Sequence, residues 1–301
     1  MLTIKKYAAI DIGSNAVRLL ISNIIEQKGK PVQFKKNSLV RVPIRLGADV
    51  FIKNKISKEN TQRLVDTMLA FKLLMKSHKV VKYKACATSA MRESENGSKI
   101  VDMVLQHSGI IIDVIGGEEE AAIIAATDLN KYIDPNKTYL YVDVGGGSTE
   151  FTIIHEGSQV TSRSFKIGTV RLLNDMVLKE TWYELEQWVK ENVDEFEKID
   201  VLGSGGNINK IFKISGKPIG KPLSYFYMTS YHNTLQTYSY EERITELDLN
   251  QDRADVIIPA MRIYLSAMKW SGAKNIYVPK IGLADGIIKS IYYDTVSSNT
   301  Q

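Results

Sequence analysis

The chain of 301 residues has a single cysteine, Cys86, and four scattered histidines. One cysteine excludes an internal disulfide, and the histidine spacing matches no zinc site. No segment approaches the ~18 apolar residues of a membrane span, and the polar N-terminus does not start a secretory signal. These absences predict a cytoplasmic protein with no membrane partner.

The composition that remains is that of a globular protein, with 44% hydrophobic and 24% charged residues. The length suits two domains. The net charge is +5, and lysines cluster at residues 28–36 and 53–58. Such a surplus either attracts a polyanion or is a solvated surface. No specific nucleic-acid partner is expected.

A glycine-rich stretch, YLYVDVGGGSTEFTII at residues 139–154, organises the chain. Two β-branched runs joined by glycines predict a strand, a tight turn and a strand. Consecutive glycines let several N–H groups approach an anion, and carboxylates on either side can hold Mg²⁺. The alternative is a hairpin with two solvated acids. The predicted phosphate-binding residues are Gly145, Gly146, Gly147 and Ser148, and the predicted metal ligands are Asp143 and Glu150.

The N-terminal stretch YAAIDIGSNAVRLLIS has the same plan. Superposing Asp11 on Asp143 places Gly13 on Gly145 and Arg18 on Glu150. A repeat of this length indicates two similar lobes. The first lobe then contributes its own phosphate-binding turn, Gly13, Ser14 and Asn15, with Asp11 as a further metal ligand.

Three other segments contain groups suited to anion binding or to acid–base catalysis. Arg92 follows a predicted strand and suits an anion site, or else a local ion pair. The acids at 118–120 begin a helix, where acids usually complement the macrodipole, although one of them could act as a base. The glycine turn before the helix at 207–211 offers N–H groups of Gly205 and Gly206 to an anion. The alternation of strands and helices places the chain in the α/β class.

Two later segments are less clear from the pattern alone. Residues 225–240 show no clear period and receive no assignment. Residues 252–269 are predicted to form one helix despite Pro259.

Several motifs occur in the order seen in one enzyme family: AIDIGSNAVRLLI, ATSAMRE, IGGEEEAAII, YVDVGGGSTEF, FKIGTVRL, VLGSGGNINKI and DRADVIIPA. They resemble the exopolyphosphatase/guanosine pentaphosphate phosphatase (Ppx/GppA) family of the actin, sugar-kinase and Hsp70 superfamily. The resemblance implies an α/β fold of two ribonuclease-H-like (actin-like ATPase) lobes, with an active-site cleft between them. The expected lobes are residues 1–130 and 131–301, with the last helix packing back on the first.

The activity implied by the resemblance is hydrolysis of the terminal phosphoanhydride of polyphosphate, with Mg²⁺ or another divalent cation and release of orthophosphate. The alternative substrate at the same site is pppGpp, which would link the protein to the stringent response. More remote alternatives are a small-molecule kinase and a non-catalytic nucleotide binder. Relatives are often dimers, so a homodimer is expected.

The resemblance also assigns roles to residues. The family's catalytic base falls on Glu120, with Glu119 as the near alternative, and Arg92 matches the family's arginine. Asp143 and Glu150 match its acidic pair. The sequence GSGGN at 203–207 departs from the G-x-S-G-T that is common in the family. Which side chain, if any, contacts phosphate at this turn is therefore left open. Longer relatives add C-terminal helical domains, so weaker processivity is expected.

Overall fold

A computed structural model describes residues 2–125, 127 and 134–298. The chain divides into two compact units, one formed by Met1–Thr127 with Leu283–Gln301 and the other by Asp128–Gly282. The boundary expected between residues 130 and 131 lies outside the described residues. No described helix is long and apolar enough to span a bilayer.

The first unit is built on a five-stranded sheet. Its first three strands are antiparallel neighbours; the fourth pairs in parallel with the first, and the fifth pairs in parallel with the fourth. Helices connect the parallel strands, as parallel pairing requires. The elements are β1 (Leu2–Ile12), β2 (Val17–Gln27), β3 (Gln33–Val42), α1 (Leu46–Lys53), α2 (Lys58–Ser77), β4 (Lys82–Ala87), α3 (Ser89–Arg92), α4 (Gly97–Ser108), β5 (Ile112–Val114) and α5 (Gly117–Ala125).

In the second unit, the remaining strands of the described chain form one six-stranded sheet. Its core joins the inner faces of the strands to the apolar faces of the helices, around residues such as Phe151 and Trp188. The elements are β6 (Thr138–Val144), β7 (Thr149–His155), β8 (Ser158–Phe165), α6 (Thr169–Leu173), α7 (Lys179–Val193), β9 (Ile199–Ser204), α8 (Gly206–Ile214), β10 (Leu223–Ser224), α9 (Tyr225–Thr237), α10 (Tyr240–Thr245), α11 (Gln251–Ala254), α12 (Ile257–Ser271) and β11 (Asn275–Tyr277).

The two sheets repeat one topology. The order in the first is β3-β2-β1-β4-β5, and in the second it is β8-β7-β6-β9-β11, with β10 added at the edge. In the first hairpin Asp11 pairs with Arg18, and in the second Asp143 pairs with Glu150. The superposition derived from the sequence is therefore confirmed in register, and so is the expected α/β fold of two similar units.

The repeat extends to an irregularity in strand pairing. The pairing of β2 with β3 shifts register between Ile21 and Ser22, and that of β7 with β8 shifts between Ile153 and Ile154. These positions correspond under the same superposition. A bulge at one place in both units increases local twist at the same point along each hairpin.

The final helix, α13 (Leu283–Ser298), belongs to the first unit, where it packs against α5 and β1. A Cβ at Gly286 would lie 2.2 Å from the carbonyl oxygen of Ile123, so only glycine permits this approach. At the helix start, Asp285 forms an ion pair with Lys36 of β3.

Local signals explain much of the helix placement. Ser57 caps α2 by accepting from the N–H of Asn60, as its position predicts. The single helix predicted at 252–269 is wrong, because α11 and α12 are separate. Pro259 lies in the first turn of α12, where a missing N–H removes no intrahelical bond. The unassigned segment forms α9, which begins with Ser224 as its cap.

Candidate active site

The first glycine turn joins β1 to β2. The Gly13 N–H donates to the carbonyl of Ala16 over 3.2 Å, which closes the turn. Beside it, Arg18 Nη1 donates to Asp11 Oδ2 over 2.9 Å, and Asp11 is only 4% exposed. The charge of Asp11 is thus balanced within the hairpin, and a cation at this carboxylate would compete with the guanidinium.

The first turn also contacts the segment that carries Arg92. The hydroxyl oxygens of Ser14 and Ser89 lie 2.9 Å apart in a buried position. Three residues further along α3, the exposed Arg92 donates from Nη1 to the carbonyl of Ile115 over 2.6 Å. This contact holds the arginine against the loop that enters α5, and a guanidinium has further N–H groups for an anion.

The acid run occupies the first turn of α5. Glu118 and Glu119 are exposed, whereas Glu120 is half-buried and its Oε2 atom is fully buried. The Glu120 N–H donates to the carbonyl of Gly116 over 2.9 Å. Burial therefore distinguishes Glu120 from its two neighbours, and a partly desolvated carboxylate suits a base better than a solvated one.

The second glycine turn joins β6 to β7 with the same closure, because the Gly145 N–H donates to the carbonyl of Ser148 over 3.0 Å. Within the described chain, the N–H groups of Gly146, Gly147 and Ser148 have no backbone acceptor. Such a set of N–H groups in a tight turn is a candidate anion site.

Two carboxylates flank this turn in different environments. Asp143 is half-buried, whereas Glu150 is 2% exposed. Glu150 Oε1 accepts from the hydroxyl of Ser148 over 2.7 Å and from that of Ser164 over 2.9 Å. Of the two predicted metal ligands here, Asp143 is therefore the more accessible.

Helix α6 braces the second turn. The Val170 N–H donates to the carbonyl of Gly146 over 2.9 Å, and Arg171 Nε donates to that of Gly147 over 2.7 Å. A Cβ at Gly168 would lie 2.3 Å from the Gly146 oxygen. The role of the buried Arg171 was missed from the sequence, although its motif, FKIGTVRL, was noted.

Helix α1 braces the first turn in a related way. The Gly47 N–H donates to the carbonyl of Ser14 over 2.8 Å, and the Arg45 N–H donates to that of Asn15 over 3.0 Å. Arg45 adopts a left-handed conformation, with φ of 64°. Asn15 corresponds to Gly147 under the superposition of the two hairpins. The Asn15 carbonyl thus accepts from a backbone N–H, whereas the Gly147 carbonyl accepts from a guanidinium.

The glycines at 205 and 206 lie beside Asp143. Gly205 has φ of +119°, and a Cβ there would lie 2.8 Å from the Val144 oxygen and 3.6 Å from Asp143 Oδ1. Arg253 donates from Nη1 to the Gly206 carbonyl over 2.7 Å. The sequence did not predict this role either. The GSGGN turn is therefore held against the end of β6.

Two buried tyrosines lie under the same strand ends. The hydroxyl of Tyr264 donates to the carbonyl of Ser204. Burial, together with the nearby charge of Asp143, raises the pKa of Tyr264 and of Tyr141 well above the usual tyrosine value. Both phenols therefore stay neutral.

The carboxylates offer a divalent cation only part of a coordination shell. Within the described residues, no cluster of three or more His, Cys, Asp or Glu side chains could hold a metal. Mg²⁺ commonly uses one or two carboxylates together with waters and phosphate oxygens of the substrate. Asp143, at the edge of the glycine turns, fits such a site.

A model of the Ppx/GppA phosphatase family matches residues 40–294. The chain belongs to this family. The family inferred from the ordered motifs is thus confirmed.

Two family members differ in the activity for which they are named. A "Putative exopolyphosphatase" of Haemophilus influenzae is 23% identical over 96% of this chain and 92% of that protein. A "Guanosine-5'-triphosphate,3'-diphosphate pyrophosphatase" of Photobacterium profundum is 32% identical over 64% of this chain and 35% of that protein. The chain spans about a third of the length of two of the curated relatives that it matches.

The Ppx/GppA fold is seen in solved structures as well. An exopolyphosphatase from Cytophaga hutchinsonii superposes with a TM-score of 0.83 at 22% identity, covering 96% of this chain and 98% of that one. Identity at this level establishes the fold alone.

Proposed function

We propose that this protein is an exopolyphosphatase, which hydrolyses the terminal phosphoanhydride of polyphosphate with a divalent cation, preferably Mg²⁺, and releases orthophosphate. The observation that carries the proposal is the second glycine turn, which presents the N–H groups of Gly146, Gly147 and Ser148 next to the accessible carboxylate of Asp143. The similarity along nearly the whole chain to a protein named "Putative exopolyphosphatase" supports the choice of substrate.

Each group has a proposed role in phosphoryl transfer. This reaction passes through a loose, in-line transition state, so positioning and charge stabilisation supply most of the catalysis. The N–H groups of Gly146, Gly147 and Ser148, with those of Ser14 and Asn15 and of Gly205 and Gly206, stabilise phosphate oxygens. A divalent cation held at Asp143, when bound, neutralises charge on the same oxygens. Arg92 donates to a phosphate oxygen.

Glu120 is the proposed base, which orients the attacking water and takes its proton. Replacing it by Gln is expected to lower turnover by about 10²–10⁴-fold, the usual contribution of a positioned base. Substrate binding should persist, because the amide has nearly the same shape. Initial rates of phosphate release and a separate binding measurement check both points.

Glu119→Gln is the matched control, since its side chain is exposed in the same helical turn. It should retain most of the activity. If Glu119→Gln were the inactive variant, the base would lie one residue earlier. Near-normal phosphate release by Glu120→Gln would refute its role.

A second candidate substrate is pppGpp, favoured by the relative named for that activity. The same groups would act on its terminal 5′ phosphate. Comparing kcat/KM for polyphosphate and for pppGpp in one purified preparation decides between the two. A higher value for pppGpp would replace the first proposal with the second.

We also propose that the protein acts in the cytoplasm as a homodimer, as the resemblance of its motifs to the family implies. Size-exclusion chromatography with light scattering tests the dimer. A monomer at all accessible concentrations would refute it.

A further inference from the structure

Ser148, whose side chain ends in a hydroxyl, lies in the second glycine turn, whose backbone N–H groups the sequence predicts to bind phosphate. The structure directs this hydroxyl elsewhere, because Ser148 Oγ donates to Glu150 Oε1 over 2.7 Å in a buried position. A serine hydroxyl has one hydrogen. While it is donated to Glu150, none remains for a phosphate oxygen.

A second serine reinforces this arrangement. Ser164, on the adjacent strand β8, donates to the same Glu150 oxygen over 2.9 Å. With Glu150 only 2% exposed, its Oε1 is fixed from two sides by hydroxyl groups. This oxygen is therefore placed to orient Ser148 and is poorly placed to reach a solvated ion.

Ser148 Oγ keeps its lone pairs, which can ligate a hard cation. Donation of its hydrogen to a carboxylate makes such a ligand oxygen more basic. Asp143 pairs directly with Glu150 across the hairpin, so both side chains lie on one face of the sheet. The hydroxyl oxygen and the accessible carboxylate thus lie at the same end of one strand pair.

We infer that Ser148 is a direct ligand of the divalent cation through Oγ, and that Glu150 is a positioning residue that holds the hydroxyl hydrogen away from the cation. The inference rests on the proposed function only for the presence of that cation. Ser148 then contacts phosphate through its backbone N–H, and the metal role predicted for Glu150 becomes indirect.

The test measures Mn²⁺ binding by electron paramagnetic resonance, with and without orthophosphate and in the absence of turnover. Ser148→Ala should raise the Mn²⁺ dissociation constant by about 10–100-fold, as loss of a ligand or its support commonly does. Ser162→Ala is the matched control, because its hydroxyl lies two residues before Ser164 and donates to Phe151 instead. Its Mn²⁺ affinity should equal that of the unmodified protein.

Variants of Glu150 separate positioning from ligation. Glu150→Gln keeps an acceptor for the Ser148 hydroxyl and should retain most of the Mn²⁺ affinity, whereas Glu150→Ala should lose as much as Ser148→Ala. Circular dichroism confirms that each variant is folded. If Ser148→Ala is not folded, Ser148→Cys serves instead, since a sulfur ligand should raise the affinity for the softer Cd²⁺.

Three results would overturn the inference. One is unchanged Mn²⁺ affinity in Ser148→Ala with weakened orthophosphate binding, which would make Ser148 a phosphate donor. Another is an equal loss in Glu150→Gln and Glu150→Ala, and the third is no Mn²⁺ binding by the unmodified protein. Failure of the proposed function is distinguishable, because it would appear as Ser148-dependent Mn²⁺ binding without phosphate release from any phosphoanhydride.

Discussion

The two glycine hairpins share backbone geometry and differ in charge. Each closes by one N–H to carbonyl bond, from Gly13 in the first and Gly145 in the second. In the first, Arg18 neutralises Asp11, whereas the corresponding pair in the second is two carboxylates, Asp143 and Glu150. The duplicated backbone therefore carries an aspartate–arginine pair in the first hairpin and two carboxylates in the second, where the proposed cation would bind.

The strongest test of this difference compares Asp143→Asn with Asp11→Asn. Asp143→Asn should lower phosphate release at least about a hundredfold, the cost of losing one charge-stabilising group, and should raise the Mg²⁺ concentration needed for half-maximal rate. Asp11→Asn should leave the Mg²⁺ requirement unchanged, because Arg18 already balances that carboxylate. Initial rates over a Mg²⁺ series measure both, and equal shifts would contradict the comparison.

A second test concerns the helices that brace the turns. Gly168→Ala should destabilise the second unit by about 1–3 kcal/mol, the cost of overpacking, because its Cβ would lie 2.3 Å from a backbone oxygen that cannot move aside. Gly47→Ala should cost less, since its Cβ would meet side-chain atoms of Phe51 and Ser14 at 2.7 and 2.9 Å.

Urea unfolding followed by two probes separates these effects. All three tryptophans, at 182, 188 and 270, lie in the second unit. Tryptophan fluorescence therefore reports on Gly168→Ala, and far-ultraviolet circular dichroism reports on both variants. A larger loss for Gly47→Ala would show that the first turn is the more tightly braced.

The smallest expected effect is on thiol reactivity, and it concerns the strands that neighbour the two hairpins, β4 and β9. Cys86 pairs with Asp11 as Ser204 pairs with Asp143. Burial raises the pKa of the Cys86 thiol from 9.0 to about 12. The thiol should therefore resist a thiol reagent at pH 8 in the folded protein and react after unfolding in urea. Rapid labelling of the folded protein would contradict this burial.

The same shift predicts a pH dependence of stability. A folded-state pKa above the unfolded value favours the folded protein with a neutral thiol. The contribution is fully present below pH 9 and is lost as the pH rises from 9 to about 12. Cys86→Ala should flatten this part of the stability profile in urea titrations at successive pH values.

The sequence predicted the hairpins well because their signals are local. Glycines next to an aspartate, flanked by short apolar runs rich in β-branched residues, predict a turn and its two strands from neighbouring residues alone. Ser57 predicted the start of α2 for the same reason. The single helix expected at 252–269 failed because the apolar pattern continues across Asp255 and Val256, the two turn residues that separate α11 from α12.

Contacts between distant residues could not be predicted in this way. The bond from Arg171 to Gly147 spans 24 residues, and that from Arg253 to Gly206 spans 47. Their motifs were visible in the sequence, but nothing local shows that a guanidinium binds a turn carbonyl. Which acid of the run at 118–120 is half-buried also depends on the packing around α5.

The sequence by itself determined the family, the duplicated α/β plan and the residue types at each turn, because these depend on local backbone preference and on the order of motifs. Only the tertiary structure decided how the charges are used. Strand pairing sets Arg18 against Asp11 and Ser164 against Glu150, and the turn brings the Ser148 hydroxyl to the same Glu150 oxygen. These contacts involve Asp11 and Glu150, which are buried, and Asp143 is the more accessible carboxylate.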